Sequence, residues 1–134
     1  MAELGDRIAG ALSGEPDIEV VYLFGSSARG EAMSASDVDV ALLCTSPVEL
    51  MRLGALQERL AERLGREVDL VDLKRASPLL AAEIVREGQA VMVANPTAKF
   101  DFELAALQRW EDTRNLRRQQ QDLLRERARR GRPG

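Results

Sequence analysis

The run Ile18–Phe24, IEVVYLF, is apolar at nearly every position. That is the pattern of a β-strand buried on both faces, which calls for helices above and below the sheet that contains it. Glu19 at its start and Tyr22 in its interior are the polar exceptions; Tyr22 reads as a core tyrosine whose hydroxyl finds a hydrogen-bond partner. The strand ends at Gly25-Ser26. A glycine there lets backbone N–H groups approach a ligand with no Cβ in the way, and a phosphate is the guest such a turn suits.

A second strand, Asp37–Cys44, follows after a short polar excursion. Alternation puts Asp37, Asp39, Ala41 and Leu43 on one face and Val38, Val40, Leu42 and Cys44 on the other, with the two aspartate Cα atoms about 6.5 Å apart. Two unpaired carboxylates on one face of a sheet repel each other, and at least one of their pKa values must rise. A bound divalent cation removes that conflict, and pairing with nearby arginines is the alternative. Hard cations such as Mg²⁺ bind through one or two carboxylates together with substrate phosphates, so a phosphate-accepting turn beside an Asp-x-Asp strand suggests a metal-dependent nucleotide site. Residues 26–32 are expected to form a short helix whose N-terminus favours an anion, Ser26 adding its hydroxyl or simply capping the helix. Arg29, within the same turn, can reach a triphosphate oxygen or pair with Glu31 or Asp37. Ser36 reads as a turn residue at the entry to the strand.

Other nucleotide motifs fail on their residues. Gly25 and Gly30 satisfy the first half of a Walker A loop, but Glu31-Ala32 stands where Lys-Ser/Thr is required, and no G-x-G-x-x-G occurs. The chain has no histidine and a single cysteine, Cys44. Ser-His-Asp and Cys-His catalysis and a conventional zinc site are therefore excluded, and Cys44 reads as a small core hydrophobe. No apolar run is long enough to span a membrane, and the first ten residues show no signal-peptide pattern, so the expected location is the cytoplasm.

The remaining segments read as cover for the sheet. Leu4, Ile8, Ala11 and Leu12 line one side of a helix over residues 2–12 that Gly14 and Pro16 end. Residues 47–64 predict an amphipathic crossover helix with Ser46 as N-cap, Pro47 in its first turn and Gly65 as its stop. A third strand spans residues 67–73, in which Asp69 and Asp72 lie on opposite faces, so only one of them can join the first two carboxylates. Asp72 reads as a strand-end residue paired with Lys74 or Arg75. Ser77, Pro78 and Gly88 bracket a further helix. Residues 90–94 predict a short strand that Asn95-Pro96 breaks. Beyond it, Phe100, Leu104, Leu107 and Trp110 recur at spacings of four, three and three, a stripe that either docks on the body or meets a partner chain. The segment RERARRGRPG reads as a fraying, disordered end. At 134 residues the chain divides into a domain over residues 1–96, with 9 basic and 16 acidic side chains, and a helical extension over residues 97–134, with 10 and 6. The basic extension either meets an acidic partner or nucleic acid, or is a solvated helix.

Gly25, Ser26, ten intervening residues and then Asp37-Val38-Asp39 make a pattern that resembles the G-S-x10-D-x-D signature of the DNA-polymerase-beta-like nucleotidyltransferases. LFGSSARGEA followed by SDVDVALL is similar to the minimal nucleotidyltransferase (MNT) branch of that superfamily, over residues 18 to 94. The resemblance implies an α/β (α+β) nucleotidyltransferase fold, a small mixed sheet flanked by helices. It implies Gly25, Ser26 and Arg29 as the triphosphate-binding group, and Asp37, Asp39 and Asp69 as catalytic carboxylates holding two Mg²⁺ ions, with Asp69 rather than Asp72 as the third acid. ATP is the implied substrate. The chain lacks the substrate domains that polymerase, antibiotic-modifying and tRNA-tailing members append, so its acceptor must come as another macromolecule. The MNT branch resembles the antitoxin half of HEPN/MNT toxin–antitoxin pairs, which implies transfer of AMP to a tyrosine of a HEPN ribonuclease toxin within a hetero-oligomer, with no membrane or nucleic-acid partner. Occlusion of the toxin without catalysis, and nucleotidyl transfer to a small molecule, are the competing functions.

Overall fold

A computed structural model of the chain describes residues 2–25 and 37–130. Its elements are α1 (Ala2–Leu12), β1 (Ile18–Phe24), β2 (Val38–Cys44), α2 (Leu50–Leu64), β3 (Val68–Asp72), α3 (Pro78–Glu87), β4 (Gln89–Val93) and α4 (Pro96–Arg130). The four strands form one mixed sheet in the order β3-β2-β1-β4. β1 is antiparallel to both of its neighbours, and β2 and β3 run parallel across the α2 crossover.

The apolar run of β1 is explained by its central place: Val20, Val21, Tyr22 and Leu23 are all buried. One face of the sheet carries Val21, Leu23, Val38, Val40, Leu42 and Leu70, which pack with Ile8 and Leu12 of α1 and with Leu56, Leu60 and Leu64 of α2. The other carries Val20, Tyr22, Ala41 and Leu43, which pack with Ile84 of α3 and with Phe102 of α4. The result is a three-layer arrangement in which strand alternation assigns each residue to one helix pair. Asp39 falls on the α3/α4 side with Ala41 and Leu43.

Local signals explain most boundaries. Gly65 ends α2 at φ 65°, the left-handed conformation that a glycine adopts without strain. Ser77 caps α3 by accepting from the Leu80 N–H at 3.2 Å, with Pro78 opening the helix. Asn95-Pro96, expected only to end a strand, begins α4, where Asn95 Oδ1 accepts from the Ala98 N–H at 3.1 Å.

Two expectations are corrected, and the docked face of α4 is found to differ from its apolar stripe. α2 begins at Leu50, and Ser46 is not its cap, because Glu49 stands at the N-cap in extended conformation with no capping bond. The stretch before it is claimed elsewhere: the Val48 N–H donates to Asp72 Oδ2 at 2.8 Å, and Arg75 donates to the Val48 carbonyl at 2.7 Å. The face of α4 that docks on the body presents Phe102 and the buried Ala106, whereas Phe100, Leu104 and Leu107 point outward, with Phe100 66% exposed. Finally, α4 is helical through the arginine-rich stretch to Arg130; the last four residues, expected to be disordered, lie outside the described residues.

No helix among the described residues is long and apolar enough to cross a membrane.

Candidate active site

The site is built where β1 ends, β2 begins and β3 runs alongside. In register, Asp39 stands opposite Phe24 on the β1 side and opposite Asp69 on the β3 side. Asp37 precedes the first residue of β2, two positions from Asp39 and so on the same face. Three carboxylates from two adjacent strands thus share one face, at the edge of the α3/α4 layer. Asp37 and Asp69 are exposed and Asp39 is half-buried.

The electrostatics follow from that placement. Burial pushes the Asp39 carboxyl above its ordinary value of 3.8, and the charges of Asp69 and then Asp37 push it the same way. Among the described residues, no ion pair joins any of the three to an arginine or lysine. A divalent cation is the group that would relieve this repulsion, and hard carboxylate oxygens suit Mg²⁺. The described side chains do not form a closed cage, however: no three His, Cys, Asp or Glu groups among them are drawn together as a metal-holding set. An arrangement of this kind relies on substrate phosphates to complete the coordination.

Gly25 lies directly against this group. Its φ is +74°, and a Cβ placed on it would run into the Asp39 carboxylate. The glycine is therefore required twice, for its backbone conformation and for the room it leaves beside an acidic group. Ser26 and Arg29, the other two expected ligands of the triphosphate, lie outside the described residues, as do the helix expected over residues 26–32 and Ser36.

Asp72 is separated from the site as its position in the strand requires. It is 5% exposed, and besides the Val48 N–H it accepts from the Lys74 N–H at 3.0 Å. Its partners are backbone groups rather than the expected Lys74 or Arg75 side chains. Cys44 is buried on the α1/α2 face, where desolvation pushes its thiol up to about 11, the setting of a small core hydrophobe.

One residue near the site was not legible beforehand. Glu103 of α4 accepts from the Tyr22 hydroxyl at 2.8 Å and pairs with Lys99 at 3.0 Å. This clamp ties α4 to the central strand that leads into Gly25. The spacing of Lys99 and Glu103 marks a helix pair, but nothing in the sequence aims that pair at a tyrosine 81 positions away.

Comparison with known proteins agrees with this geometry. The family model described as polymerase beta nucleotidyltransferase matches residues 6–97. The protein adenylyltransferase MntA of Shewanella oneidensis is 36% identical over 74 residues, which is 55% of this chain and 53% of that protein. The chain thus spans about half the length of that relative. Among solved structures, a toxin–antitoxin crystal structure with AMP-PNP matches with a TM-score of 0.80 and 26% identity, over 90% of this chain and 97% of that one. The MNT antitoxin in complex with the tri-AMPylated HEPN toxin of Shewanella oneidensis matches with a TM-score of 0.75 and 25% identity, over 92% and 98% of the two chains. With the family match covering the whole sheet and the shared face of Asp37, Asp39 and Asp69, the chain belongs to the polymerase-beta-type nucleotidyltransferases.

Proposed function

We propose that this protein is an antitoxin that transfers AMP from ATP to a tyrosine of a partner HEPN toxin and so silences it. The observation that carries the reading is the register of Asp39 against Asp69, with Asp37 beside them and Gly25 packed on the Asp39 carboxylate. The adenylyltransferase name of the relative and the AMPylated toxin bound to the structural neighbour support the acceptor and the transferred group. The AMP-PNP in the other neighbour supports ATP as the donor.

In this reading the tyrosine hydroxyl oxygen of the partner attacks the α-phosphorus of ATP. The new O–P bond forms as the bond from the α-phosphorus to the bridging oxygen breaks, and pyrophosphate leaves. Asp37 and Asp39 would hold Mg²⁺, which would supply charge neutralisation around the transferred phosphate, and Asp69 would draw the proton from the hydroxyl. Gly25, with Ser26 and Arg29, orients the β- and γ-phosphates. Positioning and charge stabilisation account for most of the acceleration in such transfers.

The test is to incubate the chain with ATP, Mg²⁺ and a HEPN toxin, and to weigh the toxin by mass spectrometry. A gain of one or more AMP masses, lost in Asp37→Asn and Asp39→Asn, is the expected result. Neutralisation that persists in both variants with no mass gain would replace catalysis by occlusion. Labelling of a small acceptor in preference to the protein would move the chain to the small-molecule transferases.

A further inference from the structure

We infer that the distal half of α4, residues 114–130, is an arm that grips the HEPN partner through an arginine-framed leucine stripe. This rests on the functional reading above and names the surface that delivers the acceptor.

The arm stands clear of the body, with Arg117 stacked over the Trp110 ring of the same helix at 4.7 Å. Trp110 and Thr113 are the last partly covered residues of α4, and every residue from Arg114 to Arg130 is exposed. Seventeen helical residues make a rod of about 25 Å. A solvated helix of that length is marginal in water unless something packs on it, and this one keeps three leucines uncovered: Leu116 at 55%, Leu123 at 60% and Leu124 at 63% exposure. Leu116, Gln120, Leu123 and Arg127 follow at spacings of four, three and four, one continuous seam on the rod, with Leu124 beside it. Such a seam is what an amphipathic helix offers to a partner groove.

Charge decides between the occupants. Residues 114–130 contain seven arginines, no lysine and only Asp122 and Glu126 as acids. Two copies laid side by side would bring together two strongly positive rods whose seam includes Gln120 and Arg127, so a second copy of this arm is a poor fit. Arginine rather than lysine throughout suits forked pairing with carboxylates beside an apolar contact, and three leucines argue against a nucleic-acid backbone as the occupant. An acidic helical surface on a protein partner satisfies both the leucines and the arginines. The two antitoxin chains compared above were solved with their toxins, and they align over at least 90% of this chain. α4 makes up 35 of the 134 residues, so these alignments run well along it. The helix therefore belongs to chains that exist as toxin complexes.

The test uses the full chain with Leu116, Leu123 and Leu124 changed to Gln, and a second variant with Arg125, Arg127 and Arg129 changed to Gln; glutamine keeps helix propensity. Affinity for the HEPN protein is measured by calorimetry at two salt concentrations, alongside melting temperature and the Mg²⁺–ATP-induced thermal shift of the free chain. The leucine variant is expected to lose on the order of 100-fold in affinity, the scale of removing clustered apolar anchors. The arginine variant should bind more weakly with a shallower salt dependence. Melting temperature and nucleotide shift should stay at wild-type values, since the altered residues are all exposed. Wild-type binding retained in both variants would overturn the arm while leaving the transferase standing. Self-association that disappears in the leucine variant with HEPN affinity intact, or RNA binding lost in the arginine variant with HEPN affinity intact, would also overturn it. Absence of any HEPN binding by the wild type would instead overturn the functional reading.

Discussion

Gly25→Ala is the substitution whose cost can be worked out most directly. An alanine at φ +74° sits in the left-handed region, at about 1–2 kcal/mol. Its Cβ would also occupy the position of the Asp39 carboxylate, and moving that side chain off its preferred rotamer adds about 0.5–1.5 kcal/mol. Together these give a loss of about 1.5–3.5 kcal/mol, or roughly 5–13 °C in melting temperature for a domain of this size. Urea denaturation measures the loss, and a double-mutant cycle divides it. In an Asp39→Ala background the backbone share remains and the collision vanishes, so the two substitutions should couple by about 1 kcal/mol. Because the collision displaces a proposed metal ligand, AMP transfer should fall on the order of 100-fold, the scale of a small misplacement at a reacting centre. A Gly25→Ala protein as stable as wild type, or the same loss with and without the Asp39 side chain, would refute the packing of glycine on carboxylate as the reason for this turn.

Asp39→Asn should lose transfer yet melt at or above the wild-type temperature in metal-free buffer at neutral pH. The raised folded-state pKa of Asp39 means that its contribution is most favourable below 3.8 and is lost as pH rises through the folded value. Thermal scans from pH 3.5 to 7 should therefore show a smaller decline for the variant, and Mg²⁺ should stabilise only the wild type. Asp72→Ala should cost about 2–4 kcal/mol by urea denaturation, because the buried Val48 N–H and the Lys74 N–H lose their acceptor. Its folded fraction should keep wild-type transfer. Arg52, which pairs with Asp17 at 2.6 Å and with Glu15 at 3.0 Å, is one-third exposed, so Arg52→Ala should cost only about 1 kcal/mol. Arg52 holds the Asp17 carboxyl below 3.8, so this stability is present above that pH and is lost as pH falls through the folded value. The variant's acid-unfolding profile should be correspondingly less steep there.

The parts of this fold that were legible in advance are those governed by neighbours close in sequence. Strand alternation put Asp69 and Asp72 on opposite faces, the resemblance chose Asp69, and the register sets Asp69 beside Asp39 and Asp72 against the Val48 backbone. Gly65, Ser77 and Pro78 acted within one helical turn, and their elements start or stop where expected. The errors came from contacts distant in sequence. The start of α2 was misplaced because Asp72 and Arg75, 24 and 27 positions later, hold Val48. For α4, apolar spacing left open whether the stripe of Phe100 and Leu107 docks or faces a partner, and the docked face is instead set by Phe102 and by the Glu103 bond to Tyr22. Arginine-rich sequence suggested fraying, yet arginine is a good helix former, and α4 continues to Arg130.

Under the transfer to a tyrosine proposed above, the clamp between Tyr22 and Glu103 has a further consequence. Tyr22 is the chain's sole tyrosine, and it lies on the same sheet face as Asp39, one strand over. An accessible phenol so near the reaction centre would invite self-labelling and stall each molecule after one turnover. The fold forestalls this: the ring is 2% exposed, its proton is committed to Glu103, and burial and that carboxylate both raise the pKa of the hydroxyl. In that proposal the tyrosine that receives AMP belongs to the partner.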